Sequence, residues 1–457
     1  MGEPLDVETQ ASEIMAMNEI QVALAQNPTE SNLALAFVLH SKGKMLYCAE
    51  LGGWLEWTGS HWRRDKEQKA FNYCVQMARN LYNGGKTVGR ASFAAGVERI
   101  AQAEPDLRRV VERFDQDKDL IATPGGTVNL RTGVMSPAKP EDMITRCAGV
   151  TPAPGAPTRW LEFLNWAFDG NQGTIGFLQE YMGYSLTGHT AAEIFLYLDG
   201  PGGNGKGSIS SLLSLIGGDY FHAAPGDLLT YSSQKSHPTS MAALLGKRIV
   251  VASELPVGGR LDEQRLKALT GGDAIRAHFM RQDEIEFVPE FKLMIAANHR
   301  PRLVRPDDAM RRRLRVVSMP KVPDKPDPAF KKTVLPEEAG QIFGWMIEGA
   351  KRILARGEKF IVPERVSIAS EEYLGSQDTI AQFIEECCNV GHELACPRSE
   401  IYVAYSRWTT EVGEKVVLKA SDFYDELERK GFRPIKSGGK KSERTFKGIA
   451  VPLRVYT

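Results

Sequence analysis

The chain has 457 residues, 42% of them apolar and 25% charged, with 57 basic side chains against 57 acidic ones. That length predicts two to four domains with real cores, and a formal charge of zero excludes a uniformly basic surface, so any contact with nucleic acid has to come from local patches. The six cysteines (48, 74, 147, 387, 388 and 396) contain no CxxC pair, which fits reduced thiols and a cytoplasmic protein, and no apolar run approaches the ~20 residues needed to span a bilayer, so no membrane partner is expected.

Residues 1–30 are polar with scattered helix formers, and a helix is predicted over Asn32 to His40. A tryptophan-rich patch follows, Gly53-Trp54-Leu-Glu-Trp57-Thr-Gly59-Ser-His-Trp62, which reads as a β-hairpin. Its three indoles could stack on bases, but rings around a turn more often staple a small sheet, and packing is the favoured reading. A helical stretch is expected from Lys69 to Val111, then a second hairpin over Leu120 to Val134. Asp115-Gln-Asp117-Lys-Asp119 lacks the glycine and closing glutamate of a calcium loop and reads as a solvated turn. These residues form an α+β unit over 31–150. A Pro/Ala-rich linker at Pro152 to Pro157 is the first boundary, and two amphipathic helices over Arg159 to Gly188 form a helical lead-in at 158–190.

Ile194-Phe-Leu-Tyr-Leu-Asp is a short apolar strand feeding Gly200-Pro201-Gly202-Gly203-Asn204-Gly205-Lys206-Gly207-Ser208. Glycines there let successive N–H groups curl around phosphate oxygens, and Lys206 brings a mobile charge to the β and γ phosphates. Apolar residues then recur at helical spacing up to Gly217-Gly218, so a helix N-terminus faces the anion. Gly207 stands where a Ser or Thr usually holds Mg²⁺; the hydroxyl comes one place later, at Ser208.

Three more apolar strands are predicted, Arg248 to Ser253, Phe291 to Ala297 and Leu314 to Met319. With helices between them they imply a mostly parallel, helix-covered sheet, an α/β core over 191–320. The first ends in Glu254, 48 residues after Lys206, where a carboxylate could polarise water and help hold Mg²⁺; the second ends in Asn298, an amide able to sense a γ-phosphate. Met310-Arg311-Arg312-Arg313-Leu314-Arg315 precedes the last strand and could present an arginine finger to a neighbouring subunit's nucleotide. Between these strands two alternating segments flank a polar turn at Met280-Arg281-Gln282-Asp283, a hairpin whose tip could grip a phosphate backbone.

Prolines at 320, 323, 326 and 328 make a stiff exit, a helical extension occupies 329–362, and Pro363 opens a tail domain at 363–457. Ser399 to Trp408 and Ala420 to Arg429 have helical spacing, the second with Ser421 as its cap, and Phe432 to Gly448 is a basic hairpin with Lys436, Lys440, Lys441, Arg444 and Lys447. Two helices and a basic wing suggest a winged helix, which binds duplex phosphates or docks proteins. Cys387, Cys388, His392 and Cys396 match no common zinc spacing, and the cysteines read as buried thiols at a helix end.

The order of the phosphate loop, "VVASE", "KALTGGD" with its hairpin, "AANH" and "RRRLR" resembles the superfamily 3 helicase core of phage- and plasmid-type primase-helicases, related to poxvirus-type enzymes. "WLEWTGSHW", "GGTVNLRTG" and "MGYSLTG" resemble the domain preceding that core, and the tail resembles the module following it, so the likeness covers about residues 30–457. It implies an AAA+-like P-loop core, ATP and Mg²⁺ as cofactors, a homo-oligomeric ring, and 3′ to 5′ movement on single-stranded DNA. The matching positions are Lys206, Glu254 and Asn298, with Arg312 or Arg313 as the finger and Lys267 with the hairpin tip on DNA. His278 stands where the family hairpin often has arginine. No paired-carboxylate strand followed by a suitable histidine is evident, so no primase activity is expected, and a separate primase or replication protein becomes a candidate partner. The rival readings are an ATP-regulated replication initiator or scaffold, and a small-molecule kinase, which would need neither finger nor wing.

Overall fold

The computed structural model describes residues 28–81, 87–231, 238–253, 255, 259–278, 284–303, 307–325, 327–412, 417–436 and 444–452. It opens with α1 (Glu30–Ser41), where the Thr29 hydroxyl accepts the Asn32 N–H at 3.2 Å and closes the first turn. β1 (Met45–Cys48), β2 (Gly53–Trp57) and β3 (Trp62–Arg64) form an antiparallel meander. The helical stretch expected from Lys69 is two helices, α2 (Lys69–Asn80) and α3 (Ala91–Ala101), packed with α1 around Phe37, Trp54, Phe93 and Val97. Trp54 and Trp62 are 7% and 2% exposed, and their indole N–H groups donate to Glu98 and to the Pro140 carbonyl. They are core residues with satisfied donors, not stacking platforms.

The second hairpin is β4 (Leu120–Thr123) with β5 (Gly126–Asn129), extended by β6 (Met135–Ser136). The acidic turn before it is not simply solvated. Asp115 accepts from the Thr145 N–H at 2.8 Å and pairs with Arg146 at 3.0 Å, and Asp119 takes Arg131 at 2.9 Å. Charged partners hold these carboxylates in place, which sequence spacing could not reveal. The lead-in helices are α4 (Thr158–Ala167) and α5 (Gln172–Tyr184); α5 is buried around nearly its whole circumference, from Ile175 and Phe177 to Tyr181 and Tyr184.

A five-stranded parallel sheet follows, made of β7 (Phe195–Asp199), β8 (Phe221–Ala224), β9 (Ile249–Ser253), β12 (Lys292–Ala296) and β13 (Leu314–Ser318) in the spatial order β13-β7-β12-β9-β8. β10 (Ile275–His278) and β11 (Glu284–Phe287) pair separately as an antiparallel hairpin. One face of the sheet carries α5, α6 (Lys206–Gly217) and α10 (Leu335–Ala355) on Leu196, Leu198, Val251 and Met294. The other carries α8 (Glu263–Thr270), α9 (Asp308–Arg313) and α11 (Glu364–Gly375) on Phe195, Tyr197, Val250 and Ile295. The short helix α7 (Pro238–Ala242) lies between β8 and β9 in the chain. Apolar burial on both faces explains why these strands read as continuous hydrophobic runs. α11, expected with the tail, packs on this sheet, and its Ser370 hydroxyl accepts the Val316 N–H at 2.9 Å.

At the start of the strands two buried cations tie the layers together. Arg248 donates to the carbonyls of Leu120 and Leu186 at 2.7 and 2.9 Å, and Lys292 donates to those of Thr187, His189 and Glu290. Burial, with Arg248 nearby, pushes the Lys292 ammonium well below its ordinary pKa. His189 bridges Asp119 at 2.8 Å and Glu358 at 3.4 Å. On the helical face, α5 and α10 meet backbone to backbone. A Cβ on Gly183 would lie 2.3 Å from both the Ala350 nitrogen and the Met346 oxygen.

The last unit is α12 (Thr379–Cys387), β14 (Asn389–Pro397), α13 (Arg398–Glu411), α14 (Ala420–Arg429), β15 (Arg433–Lys436) and β16 (Arg444–Ala450). Its sheet has the order β14-β16-β15, and its core is Phe383, Tyr405, Phe423 and Phe446. Lys419 precedes α14 at the cap position, so Ser421 lies inside the helix rather than capping it. Cys396 is buried in this core, and burial pushes the Cys388 thiol up to about 12.

Because no methyl group fits between α5 and α10, Gly183→Ala should destabilise the protein by about 1–3 kcal/mol. Chemical denaturation followed by circular dichroism measures this, and an unchanged midpoint would mean the crossing can relax.

Candidate functional site

All five strands of the main sheet run the same way, so their C-terminal ends share one edge, the usual place for a ligand in an open α/β sheet. β7 leaves that edge into Gly200–Gly205 and then α6. Two glycines are required by geometry. Gly200 has φ +142°, and a Cβ on it would lie 2.3 Å from the Met319 oxygen; Gly205 has φ +97° and faces the ring of Phe163 at 2.5 Å from the same hypothetical atom. Asn204 is 2% exposed, and its Nδ2 donates to the Met319 carbonyl at 2.6 Å, pinning the loop to the end of β13.

Lys206 folds back onto its own loop. Its Nζ donates to the Gly200 and Pro201 carbonyls at 2.5 and 2.9 Å and to Asn204 Oδ1 at 3.0 Å. Burial lowers its pKa, opposed by the carboxylate of Asp199. Asp199 itself is held by Arg300, whose Nη2 and Nε donate at 2.6 and 2.9 Å. A cleft of about 630 Å³ opens over Gly202–Ser208. Asn298, exposed just beyond β12, enters the cleft with its Nδ2 3.8 Å from a Cβ placed on Gly202. The adjacent strands β7 and β12 thus bring the phosphate loop and Asn298 together. Ser208, in the first turn of α6, also lines the cleft and offers one hydroxyl oxygen there, which fits a cation such as Mg²⁺ that keeps most of its waters.

The arginine cluster lies elsewhere. Leu314 pairs with Phe195 and Ser318 with Asp199, so Arg312 and Arg313 sit at the opposite edge of the sheet from the phosphate loop. Arg313 is 6% exposed, with Nη2 donating to Glu193 at 2.6 Å; the Arg312 side chain is 65% exposed and approaches the same carboxylate at 3.6 Å. Lys267, expected on DNA, pairs with Asp307 at 2.6 Å. Arg444 and Lys447 are exposed on β16. Glu254, Met280, Arg281, Gln282, Lys440 and Lys441 lie outside the described residues, as does the Lys436 side chain.

Sequence reasoning missed the far wall of the cleft, where α4 contributes Phe163 and Trp166 and the segment after β13 contributes Phe330. The aromatic spacing on α4 was legible only as an amphipathic helix, and nothing in the sequence joined it to Phe330. The Asp199–Arg300 pair was missed for the same reason.

Three family profiles match this chain: "D5 N terminal like" over residues 34–169, a family of unknown function over 198–313, and "Poxvirus D5 protein-like" over 376–447. Its likeness to D5-type proteins thus falls at both ends of the chain. Similar proteins named as helicases occur in Acanthamoeba polyphaga mimivirus, 26% identical over 57% of this chain, and in Frog virus 3 (isolate Goorha), 23% identical over 66%. Another, in Invertebrate iridescent virus 6, is 25% identical over 60% of the chain. The match spans 27–32% of these relatives' own lengths. Among solved structures, the C-terminal region of NrS-1 aligns over 65% of this chain and 77% of that one, at 15% identity and a TM-score of 0.43. No described helix is long and apolar enough to cross a membrane.

Arg312 and Arg313 should behave differently. Arg313→Ala removes a buried cation from Glu193 and should cost about 1–3 kcal/mol, whereas Arg312→Ala should stay within about 0.5 kcal/mol of wild type. Denaturation midpoints of the two variants test this, and equal midpoints would contradict the assigned burial.

Proposed function

We propose that this protein is an ATP-dependent DNA helicase of phage or mobile-element replication, working as a homo-oligomeric ring that we take to be hexameric and moving 3′ to 5′ on single-stranded DNA. The observation that carries the reading is the division of one sheet between two half-sites. The phosphate loop and Asn298 occupy one edge, and Arg312 occupies the other, a strand's length of about 16 Å away at ~3.3 Å per residue. An arginine there cannot serve its own loop; it suits a neighbour's nucleotide. Arg312, exposed and only loosely held, is therefore the finger we favour over the buried Arg313.

In this reading the loop amides and Lys206 hold the phosphates of ATP. Asn298 senses the γ-phosphate, Glu254 orients water, and Ser208 with Glu254 holds Mg²⁺, which would offset charge on the transferring phosphoryl group. The spatial strand order, which reads fifth, first, fourth, third, second by place in the chain, supports the AAA+-like assignment. The hairpin β10–β11 would carry Met280, Arg281 and Gln282 to single-stranded DNA, with Lys267 as a further contact. The run α12-β14-α13-α14-β15-β16 supports the winged-helix reading of the tail, with Lys436, Lys440, Lys441, Arg444 and Lys447 on duplex phosphates. We place the start of that module near residue 376, since α11 packs with the ATPase core. The helicase names of the viral relatives agree with this function.

ATPase assays with and without single-stranded DNA, beside strand displacement, test the whole reading. Stimulated turnover with unwinding is expected; unstimulated turnover without unwinding would favour the initiator or scaffold. Lys206→Ala should abolish turnover, and Glu254→Gln should bind ATP yet fail to turn it over. Mixed rings of Lys206→Ala and Arg312→Ala subunits should regain some activity, because some interfaces then hold an intact loop facing an intact finger. Confirmed mixed rings without any recovery would count against a shared site. Arg281→Ala should cut unwinding far more than basal ATPase.

A further inference from the structure

The cleft above the phosphate loop continues well beyond the loop itself. Past Gly202–Ser208 it is walled by Phe163 and Trp166 of α4 and by Phe330 of the π-helical turn Phe330–Val334 that leads into α10. The Phe163 and Phe330 ring centroids are 5.0 Å apart at 43°, and those of Phe163 and Trp166 are 6.2 Å apart at 33°. Trp160, one turn before Phe163, is fully buried, whereas these three rings pack on the core yet stay only partly buried, lining a concave space. Single exposed apolar side chains are ordinary; three that converge on the wall of an anion-binding cleft are not.

We infer that this wall is the base-binding subsite of the nucleotide, an inference that rests on reading Gly200–Ser208 as a nucleotide phosphate site. A polyphosphate on the loop amides leaves the rest of the same cavity to the sugar and base, and the ring of Phe163 already abuts the loop at Gly205. A flat heterocycle gains most from flat aromatic neighbours. A cleft of about 630 Å³ lies within the range that buries a ligand of nucleotide size. An ion pair also joins the two walls. Arg159 bridges Glu162 at 3.7 Å and Asp327 at 3.8 Å, joining α4 to the segment that carries Phe330. Phe163 precedes the sheet in the chain and Phe330 follows it, so a bound base touches both the lead-in and the exit of the core.

Calorimetric titration with ATP and with inorganic tripolyphosphate separates the base from the phosphates. Phe163→Leu and Phe330→Leu should each weaken ATP binding roughly tenfold, the scale of one lost base–aromatic stack, and leave tripolyphosphate binding unchanged. Phe163→Tyr, which keeps the ring, should bind ATP like wild type. Undiminished ATP affinity in both leucine variants would overturn the subsite, and so would an equal loss for ATP and tripolyphosphate, because the rings would then act only by shaping the loop. Wild-type protein that binds neither ligand would instead remove the phosphate-loop reading on which the subsite rests. Phe330 lies away from the Gly205 contact, so its variant keeps the test informative if Phe163→Leu folds poorly.

Discussion

The glycine-rich loop at the C-terminal edge of the sheet depends on one side-chain amide. Asn204 is buried beneath the loop and donates to the carbonyl of Met319, just past the end of β13, while its oxygen receives the Lys206 ammonium. The first bond fixes the loop against the end of β13, and the second ties it to the start of α6. The arrangement works only because Gly200 has no Cβ to strike the same Met319 carbonyl. A buried amide with both ends satisfied is rigid as well as stable, so the loop amides and the start of α6 present a fixed shape to an anion.

Much of this arrangement was legible from residues alone. The phosphate loop is a local object, a strand, a glycine turn, a lysine and a helix in order, and its geometry follows from adjacent positions. The buried strands β9, β12 and β13 were legible because both faces are apolar. β8 was not: it is four residues long, lies at the sheet edge and is only partly buried, so Phe221–Ala224 carries no distinctive run. α5 shows one apolar face in sequence but is enclosed by α10, which reaches it through two facing glycines rather than through large side chains. Arg312 and Arg313 are equivalent on paper, and only the turn of α9 into β13 buries one against Glu193 while the other reaches the same carboxylate loosely from solvent. The acidic turn at Asp115–Asp119 failed for a related reason, since its partners lie up to 70 residues away.

The sheet also separates two kinds of chemistry. At its C-terminal edge lie groups able to meet a nucleotide; at its N-terminal edge Arg248, Lys292 and His189 join the β4–β5 hairpin, the end of the lead-in and the end of α10. β12 runs between them, with Lys292 at its first residue and Asn298 two residues beyond its last. Every residue of that strand is buried, so it behaves as a stiff rod. Were Asn298 to shift with a nucleotide, as the proposed function has it, β12 would link that shift to the contacts that hold the N-terminal layers.

The folded-back Lys206 adds a threshold to the site. With three oxygen acceptors already around its ammonium, the lysine is close to content without a ligand. An incoming anion would have to replace those bonds and the solvation they stand in for. A chain of phosphates spans the loop and the lysine together and recovers the cost over many contacts. In the proposed reading the resting loop would thus set a threshold, with the lysine released from its own carbonyls only when a ligand supplies acceptors in their place.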